Sequence, residues 1–125
     1  MLNLPPSVRI FVSREPVDMR KSFDTLAQLV REHVGGEPLS GHLFVFRSKR
    51  GDRVKLLHWD RDGYVIWYKR LEVGVFTFPA AGLAAGAQGL ELNAADFAMI
   101  LDGVDLASVR RRPRYRRPEP ALASL

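Results

Sequence analysis

Residues 47–70 decide the fold of this chain and read RSKRGDRVKLLHWDRDGYVIWYKR. Apolar and polar side chains alternate along this stretch, which is typical of β-strands with two different faces. A glycine closes each of two turns, Ser48-Lys49-Arg50-Gly51 and Asp60-Arg61-Asp62-Gly63. In a type I turn followed by a left-handed residue, glycine takes that last place and ends a hairpin. The stretch and the residues before it therefore predict three antiparallel strands, over residues 42–47, 53–59 and 64–70.

The turn geometry predicts which side chains share a face of this sheet. The predicted core face holds Phe44, Phe46, Val54, Leu56, His58, Ile66 and Tyr68, with Phe46 opposite Val54, Phe44 opposite Leu56 and His58 opposite Ile66. The other face collects Leu43, Val45, Arg47, Arg53, Lys55, Leu57, Trp59, Val65, Trp67 and Lys69. This second face is too basic to be buried whole and too aromatic to be left in water, so a second layer or a partner must cover part of it. A change of one residue in either turn would exchange the faces.

An amphipathic helix is predicted before the sheet. Apolar residues recur at helical spacing from Met19 to Val34, and Gly35-Gly36 ends the pattern. Asp18 is the predicted N-cap, because an aspartate there accepts hydrogen bonds from the first free amides of a helix. The apolar stripe of this helix should pack on the core face of the sheet.

Two cations, Arg20 and Lys21, would then lie in the first helical turn, where the helix dipole favours acids. Two explanations are open. Arg20 pairs with Asp24 one turn along, or the two cations and the free amides bind a phosphate group.

The remaining segments predict a small number of further elements. Residues 8–12 predict a first strand, residues 71–78 a ragged fourth strand, and residues 80–89 a connector of small residues. Asn93 is the predicted N-cap of a short helix that Gly103 closes. The chain is therefore predicted to be a single α+β domain with an antiparallel sheet, one main amphipathic helix on one face, a short C-terminal helix and a basic tail.

The basic charge is concentrated at the C-terminal end. The formal net charge is +5, and residues 107–125 carry six Arg and one Glu, so residues 1–106 are neutral overall. Because this segment also contains three prolines and few large apolar residues, it is predicted to be extended or disordered until bound. We therefore expect a domain over residues 1–106 and a flexible tail over 107–125. The tail favours polyanions, and the alternative is a solubilising tail or one that docks on an acidic partner.

Several classes of chemistry find no support in the sequence. The chain has no Cys, which excludes disulfides and thiol catalysis. The three histidines lack metal-ligand spacing, and Asp60 and Asp62 fit a hairpin turn better than a magnesium site. No cofactor motif, secretion signal or apolar stretch suited to a membrane is present. We therefore expect a soluble, non-catalytic protein without metal or cofactor.

Many spaced residues resemble one known family, the TnpB accessory proteins of insertion sequence 66 transposons. They are Pro16, Asp18 to Lys21, Phe23-Asp24, Leu26, Gly41 to Arg47, Arg50 to Arg53, Lys55 to Leu57, Trp59 to Gly63 and Trp67 to Leu71. The resemblance covers residues 8–79 well and residues 96–106 more loosely, and Phe78-Pro79 stands where the family tends to have Trp-Pro. It implies a cytoplasmic bacterial protein that helps a separate DDE-type transposase to mobilise its element, with no established catalytic site.

The basic and aromatic composition of residues 47–70 is typical of nucleic-acid binders. We expect contacts with DNA of the element, mostly through phosphates, from Arg20, Lys21, Arg47, Lys49, Arg50, Arg53, Lys55, Trp59, Trp67, Lys69, Arg110, Arg111, Arg112, Arg114, Arg116 and Arg117. The first alternative is an adaptor that binds the transposase or another protein of the element through its aromatic face. A weaker alternative is a small nuclease, which needs Asp18, Asp24, Asp60 or Asp62 to converge.

Overall fold

A computed structural model of the protein describes residues 4–79, 89–105 and 110–111. Its main sheet has five strands, β1 (Ile10–Ser13), β2 (Leu43–Arg47), β3 (Arg53–Asp60), β4 (Gly63–Arg70) and β5 (Gly89–Leu92), in the order β4-β3-β2-β1-β5. The helices are α1 (Phe23–Leu29), which continues as a π-helical turn over Val30–Val34, and α2 (Ala94–Leu101). A single 3₁₀ turn covers Pro38–Ser40, and two short strands, β6 (Val104–Asp105) and β7 (Arg110–Arg111), pair with each other.

The predicted α+β class is confirmed by this mostly antiparallel sheet and its two helices. The predicted first strand is present as β1, in the interior of the sheet, where it pairs in parallel with β2 and antiparallel with β5. A parallel pair needs a crossover connection. Helix α1 lies in the connection between β1 and β2 and supplies that crossover.

The predicted register of β3 is wrong by one residue in both hairpins. The first loop is one residue longer than predicted, so Phe46 pairs with Lys55. The second is one residue shorter, so Asp60 pairs with Gly63. Gly51 takes the predicted left-handed conformation, with φ 82°, but in the second turn Arg61 takes it instead of the glycine, with φ 56°.

Compared with the prediction, these two register shifts exchange the faces of β3 and leave those of β2 and β4 unchanged. One face, here called the α1 face, holds Phe11, Phe44, Phe46, Leu57, Ile66 and Tyr68, whereas Ile10, Val12, Leu43, Val45, Val54, Leu56 and Trp67 lie on the other, the α2 face. The α1 face packs against Leu26, Ala27 and Val30 of the first helix and its π-helical turn. The α2 face packs against Phe97, Ile100, Leu101 and the buried Phe76. The predicted second layer is present and covers the face that holds Leu43, Val45 and Trp67. The β3 part of the predicted face is wrong, because Lys55, Leu57 and Trp59 lie on the α1 face.

The predicted start of the main helix is wrong. Helix α1 begins at Phe23, and its N-cap is Ser22, whose side chain makes no capping hydrogen bond. Asp18 instead closes a turn before the helix, where its carbonyl oxygen accepts from the Lys21 N–H at 3.1 Å. The predicted end is confirmed, because Gly35 ends the π-helical turn in a left-handed conformation with φ 80°.

The second helix follows the prediction closely. The Asn93 side chain accepts a hydrogen bond from the Asp96 N–H at 2.7 Å, and Gly103 follows the helix with φ 94°. The predicted strand over residues 71–78 is wrong. Gly74 turns the chain there with φ 81°, and the Phe76 N–H donates to the Gly51 carbonyl, so this segment closes the sheet end instead of extending the sheet.

Parts of the prediction fall outside the described residues. They include most of the connector, residues 80–88, and most of the basic tail, residues 107–109 and 112–125. Gly89, the last residue of the predicted connector, begins β5. Within the tail, the backbone of Arg110–Arg111 pairs with Val104–Asp105. The division into residues 1–106 and 107–125 stays a prediction.

Candidate nucleic-acid interface

An open groove of about 530 Å³ lies at the end of the sheet where β2 turns into β3. One wall is the segment before helix α1, and the other is the turn between β2 and β3. The lining residues are Val17, Asp18, Met19, Arg20, Ser48, Lys49, Arg50, Asp52, Arg53 and Tyr68. Four of the predicted contact residues, Arg20, Lys49, Arg50 and Arg53, thus lie around one groove.

The first wall is fixed to the sheet at both ends. The Val17 N–H donates to the carbonyl of Arg47, the last residue of β2, at 2.9 Å. The Lys55 ammonium donates to the Lys21 carbonyl at 2.6 Å. These two bonds hold residues 17–21 against the sheet, so this wall of the groove is a fixed part of the folded domain.

The second wall is an ordered turn. The Gly51 N–H donates to the Ser48 carbonyl at 3.0 Å, and the Ser48 hydroxyl accepts from the Arg53 N–H at 3.1 Å. A side chain at Gly51 would meet Val75 at 3.4 Å and would have to adopt φ 82°, a conformation that glycine takes without strain. Lys49 and Arg50 therefore project from a rigid turn, and both are exposed.

Arg20 and Asp18 form a tight pair in the first wall. The Arg20 guanidinium bonds both carboxylate oxygens of Asp18, with a shortest distance of 2.6 Å. The Arg20 backbone N–H also donates to Asp18 at 2.9 Å. These bonds hold the pKa of Asp18 well below its ordinary value. The pairing of Arg20 with Asp24, one of the two explanations for a cation in this segment, is wrong, because Asp18 is the partner.

The groove is positive overall and contains one exposed aromatic ring. Its four cations face two carboxylates, those of Asp18 and Asp52. Tyr68 is 47% exposed, its hydroxyl lies 3.4 Å from the Arg53 guanidinium, and Arg70 continues the basic surface beyond Tyr68. A basic groove beside an exposed ring is the combination by which proteins hold a nucleic-acid backbone and stack a base.

Two of the predicted contact residues have clear structural roles. Lys55 is only 8% exposed, and its ammonium lies 4.9 Å from the centre of the Tyr68 ring. Arg47 is half-buried and donates to the Arg14 carbonyl. Both side chains stabilise the walls of the groove and do not line it.

The other predicted residues lie elsewhere. Trp59 packs edge-to-face on Tyr64, with ring centres 5.1 Å apart, at the far end of β3. Trp67 packs against the core of the α2 face, and Lys69 lies beside helix α2. The Lys21 side chain is half-buried next to the groove. Arg110 and Arg111 lie in β7, while Arg112, Arg114, Arg116 and Arg117 fall outside the described residues.

Sequence reasoning missed Tyr68 and Arg70 as members of this surface. The predicted register, displaced by one residue in β3, places Tyr68 opposite Leu56 in the core, whereas Tyr68 pairs with the basic Lys55. The sequence signal for this surface is the alternation of Arg53 and Lys55 in β3 and of Tyr68 and Arg70 in β4. A two-residue turn between the strands places these four residues side by side on one face of the sheet.

No metal centre or membrane span is found in the described part of the chain. Across residues 4–79, 89–105 and 110–111, no three His, Asp or Glu side chains are grouped so that they could hold a metal ion. In the same ranges no helix is long and apolar enough to cross a bilayer.

Comparison with known proteins gives the family. Residues 8–111 match the family described as IS66 Orf2 like protein, TnpB_IS66. The chain belongs to this family. Its relatives include two uncharacterized proteins of Sinorhizobium fredii strain NBRC 101917 / NGR234. The first, y4jC, is 35% identical over 116 residues, 93% of this chain and 96% of its own length. The second, y4hO, is 35% identical over 105 residues, 84% and 88% of the two chains.

Membership confirms the resemblance to the TnpB accessory proteins. The matched range, residues 8–111, includes the whole five-stranded sheet, both helices and the groove. No solved structure matches the chain. The protein is therefore an accessory protein of an insertion sequence of the IS66 type.

Proposed function

We propose that this accessory protein acts in transposition by binding DNA of its element through the basic groove. The observation that carries the proposal is the convergence of Arg20, from the first wall, with Lys49, Arg50 and Arg53, from the second. Duplex DNA carries one negative charge per about 1.7 Å of helix axis, and neutralising phosphates releases condensed counterions. Arg20 is already paired with Asp18, so Lys49, Arg50 and Arg53 supply most of the charge for this kind of contact.

The proposed binding is largely independent of DNA sequence. Sequence readout in the major groove usually requires a helix or ribbon with free polar side chains. Helix α1 buries Leu26 and Ala27 against the sheet, and its π-helical extension buries Val30. The groove instead offers point charges and one ring, which recognise phosphate and the flat face of any base.

The predicted tail is proposed as a second DNA contact. Its arginines at 112, 114, 116 and 117 add charge to the neutral body. A charged segment that is linked to a second binding surface acts at a high effective concentration, so the tail works best beside a preformed surface. The groove is such a surface.

The test is a titration of fluorescently labelled duplex DNA with the purified full chain. The groove variant carries Lys49→Gln and Arg50→Gln, since both side chains are exposed and their loss should leave the fold intact. The matched control is Arg31→Gln, which removes an exposed arginine that lies outside the groove and pairs with Glu37 at 3.7 Å. We expect weaker binding by the groove variant and unchanged binding by the control.

The result that contradicts the proposal is equal affinity of the groove variant and the wild type. A tail variant with glutamine at positions 112, 114, 116 and 117 separates the two surfaces. If this variant alone loses affinity, the tail is the binding element and the groove has another role.

The rival function is an adaptor for the transposase, and one observation favours it. Exposed apolar side chains lie close to the groove, with Tyr68 47% and Val75 45% exposed, and aromatic and arginine side chains dominate protein interfaces. A pull-down of the element's transposase by the wild type and by a Tyr68→Ala variant tests this function. DNA-independent capture that Tyr68→Ala abolishes supports the adaptor.

We also propose that the protein is not catalytic. The nuclease alternative needs Asp18 or Asp24 to meet Asp60 or Asp62. Asp18 lies at the groove, near the start of β3, whereas Asp60 ends that strand, seven residues or about 23 Å away. Incubation of labelled DNA with the protein and Mg²⁺ or Mn²⁺ should give no cleavage. Cleavage that is lost on Asp18→Asn would contradict this part of the proposal.

A further inference from the structure

Strand β4 lies at one end of the sheet and has an open outer edge. It pairs with β3 over Gly63–Arg70, and no other strand in residues 4–79, 89–105 and 110–111 pairs with it. Eight residues are long for an edge strand, because the mean strand has about five or six. A long open edge presents unpaired N–H and C=O groups to which another strand can add.

The hydrogen bond pattern tells which backbone groups face outward. The Leu71 N–H donates to the Asp52 carbonyl at 2.7 Å, and in an antiparallel ladder hydrogen-bonded and non-hydrogen-bonded pairs alternate. Every second residue of β4 from Gly63 to Lys69 therefore bonds with β3. The residues whose N–H and C=O groups point to the open edge are Tyr64, Ile66, Tyr68 and Arg70.

Strand β4 has few of the features by which proteins usually protect an edge. Such features are a proline, a bulge or charged side chains, and the two charges of β4, Lys69 and Arg70, both lie at its C-terminal end. Residues 63–68 read GYVIWY and contain no charge and no proline, and the pairing with β3 runs without a bulge from Arg70 to Gly63. Val65 and Tyr68 are 43% and 47% exposed, one on each face of the sheet.

The edge is complementary to itself in an antiparallel arrangement. If Ile66 lies opposite Ile66 of a second copy, the outward N–H and C=O groups of the two strands meet. Tyr64 then faces Tyr68 of the second copy, and Val65 faces Trp67. At each end Arg70 lies beside the hairpin turn of the second copy, which carries Asp62.

The charges favour this register over its neighbours. A shift of two residues places Arg70 opposite Tyr64 or two residues beyond Asp62, so Arg70 and Asp62 no longer meet. Shifts of one residue misalign the outward backbone groups. We propose that two copies of this chain pair through β4, antiparallel and centred on Ile66, to form a twofold dimer with a continuous ten-stranded sheet.

The twofold axis of this dimer is perpendicular to the sheet, because both strands lie in one continuous sheet. The α1 faces of the two copies therefore lie on the same side. Both grooves, each lined by Tyr68, open on that side, with the two Tyr68 residues about 13 Å apart along the strand direction. The dimer is inferred from the edge of β4 alone, and it does not depend on the proposed DNA binding.

The test is sedimentation velocity of the full chain over a range of protein concentrations, without DNA. The monomer mass is 14.1 kDa, and we expect a concentration-dependent species of twice that mass. Ile66→Pro removes one outward N–H and leaves the bonds to β3 in place, since proline is accepted where the edge N–H faces solvent. This variant should be monomeric, whereas the control Ile66→Val, which keeps the N–H, should dimerise.

A charge exchange tests the register and does not depend on the proline variant folding. Asp62→Arg places like charges opposite each other twice in the dimer and should weaken it about tenfold. Arg70, which also pairs with Glu72 at 2.9 Å in the monomer, is then changed to Asp in the same chain. The double variant Asp62→Arg/Arg70→Asp should recover most of the lost affinity.

Three results overturn the proposal. A chain that stays monomeric at all concentrations excludes the dimer. A dimer that keeps its affinity in both Ile66→Pro and Asp62→Arg uses another surface. Failure of the double variant to recover affinity, when Asp62→Arg weakens the dimer, contradicts the Ile66-centred register.

Discussion

Replacing Lys55 with methionine tests whether this residue holds the groove or contacts DNA. The ammonium is only 8% exposed, donates to the Lys21 carbonyl at 2.6 Å and lies 4.9 Å from the centre of the Tyr68 ring. Methionine keeps an apolar stem of similar length but removes the charge. The variant therefore loses both interactions and leaves the Lys21 carbonyl without this donor.

The expected loss of stability is about 2 kcal/mol. A hydrogen bond to a charged group contributes about 1.5–3 kcal/mol, and a partly desolvated cation–π contact adds about 1 kcal/mol. Methionine avoids the desolvation cost of burying an ammonium group, and this gain offsets part of the loss. With an unfolding entropy of about 0.2 kcal/mol/K for a domain of about 100 residues, the Tm should fall by about 10 °C.

Thermal unfolding followed by circular dichroism measures this effect. Lys49→Met is the matched control, because Lys49 is exposed and its replacement should change the free energy of unfolding by less than about 0.5 kcal/mol. An unchanged Tm for Lys55→Met would refute the reasoning. The ammonium would then be free to contact DNA, as the sequence predicted.

Three further substitutions test other parts of the fold. Gly36→Ala should destabilise the protein by about 1–3 kcal/mol in urea unfolding, since a Cβ at Gly36 would lie 2.8 Å from the buried Phe44 ring. Asn93→Ala should cost about 1 kcal/mol in the same assay, because Asn93 caps helix α2. Asp18→Asn should reduce the loss of stability on acidification, since the bonds to Arg20 lower the pKa of Asp18 in the folded state. A carboxylate with a depressed pKa stabilises the fold above its ordinary pKa, and this contribution is lost as the pH falls below about 4.

Each of these predictions has a contradicting result. Equal urea midpoints for Gly36→Ala and the wild type would mean that the Phe44 ring moves aside freely. An Asn93→Ala variant as stable as the wild type would mean that the cap contributes nothing. Melting temperatures recorded between pH 3 and pH 6 that fall in parallel for Asp18→Asn and the wild type would mean that Asp18 is not stabilised by Arg20.

The sequence predicted the elements better than it predicted their register. Alternation located β2, β3 and β4 within one or two residues, and glycine marked both turns. The exact turn length was not predictable, because Arg61 takes the left-handed conformation that was assigned to Gly63. Non-glycine residues adopt this conformation only uncommonly. One residue in each turn was enough to exchange the two faces of β3.

The candidate site was predicted only in part, for a related reason. The basic residues of the β2–β3 turn were recognised, and so was Arg20. Their meeting depends on two long-range hydrogen bonds, from the Val17 N–H to Arg47 and from Lys55 to Lys21. Composition and periodicity do not encode such contacts, so Lys55 was predicted as a DNA contact when it supports the wall of the groove.

The salt dependence of DNA binding tests the central claim most directly. Each phosphate contact adds about 0.9 to the slope of log K against log [salt] for duplex DNA. Removing the Lys49 and Arg50 charges should therefore lower the slope by about 1.8, while Arg31→Gln should leave it unchanged. Equal slopes for the wild type and the Lys49→Gln/Arg50→Gln variant, or no binding by the wild type at low salt, would contradict a DNA-binding groove.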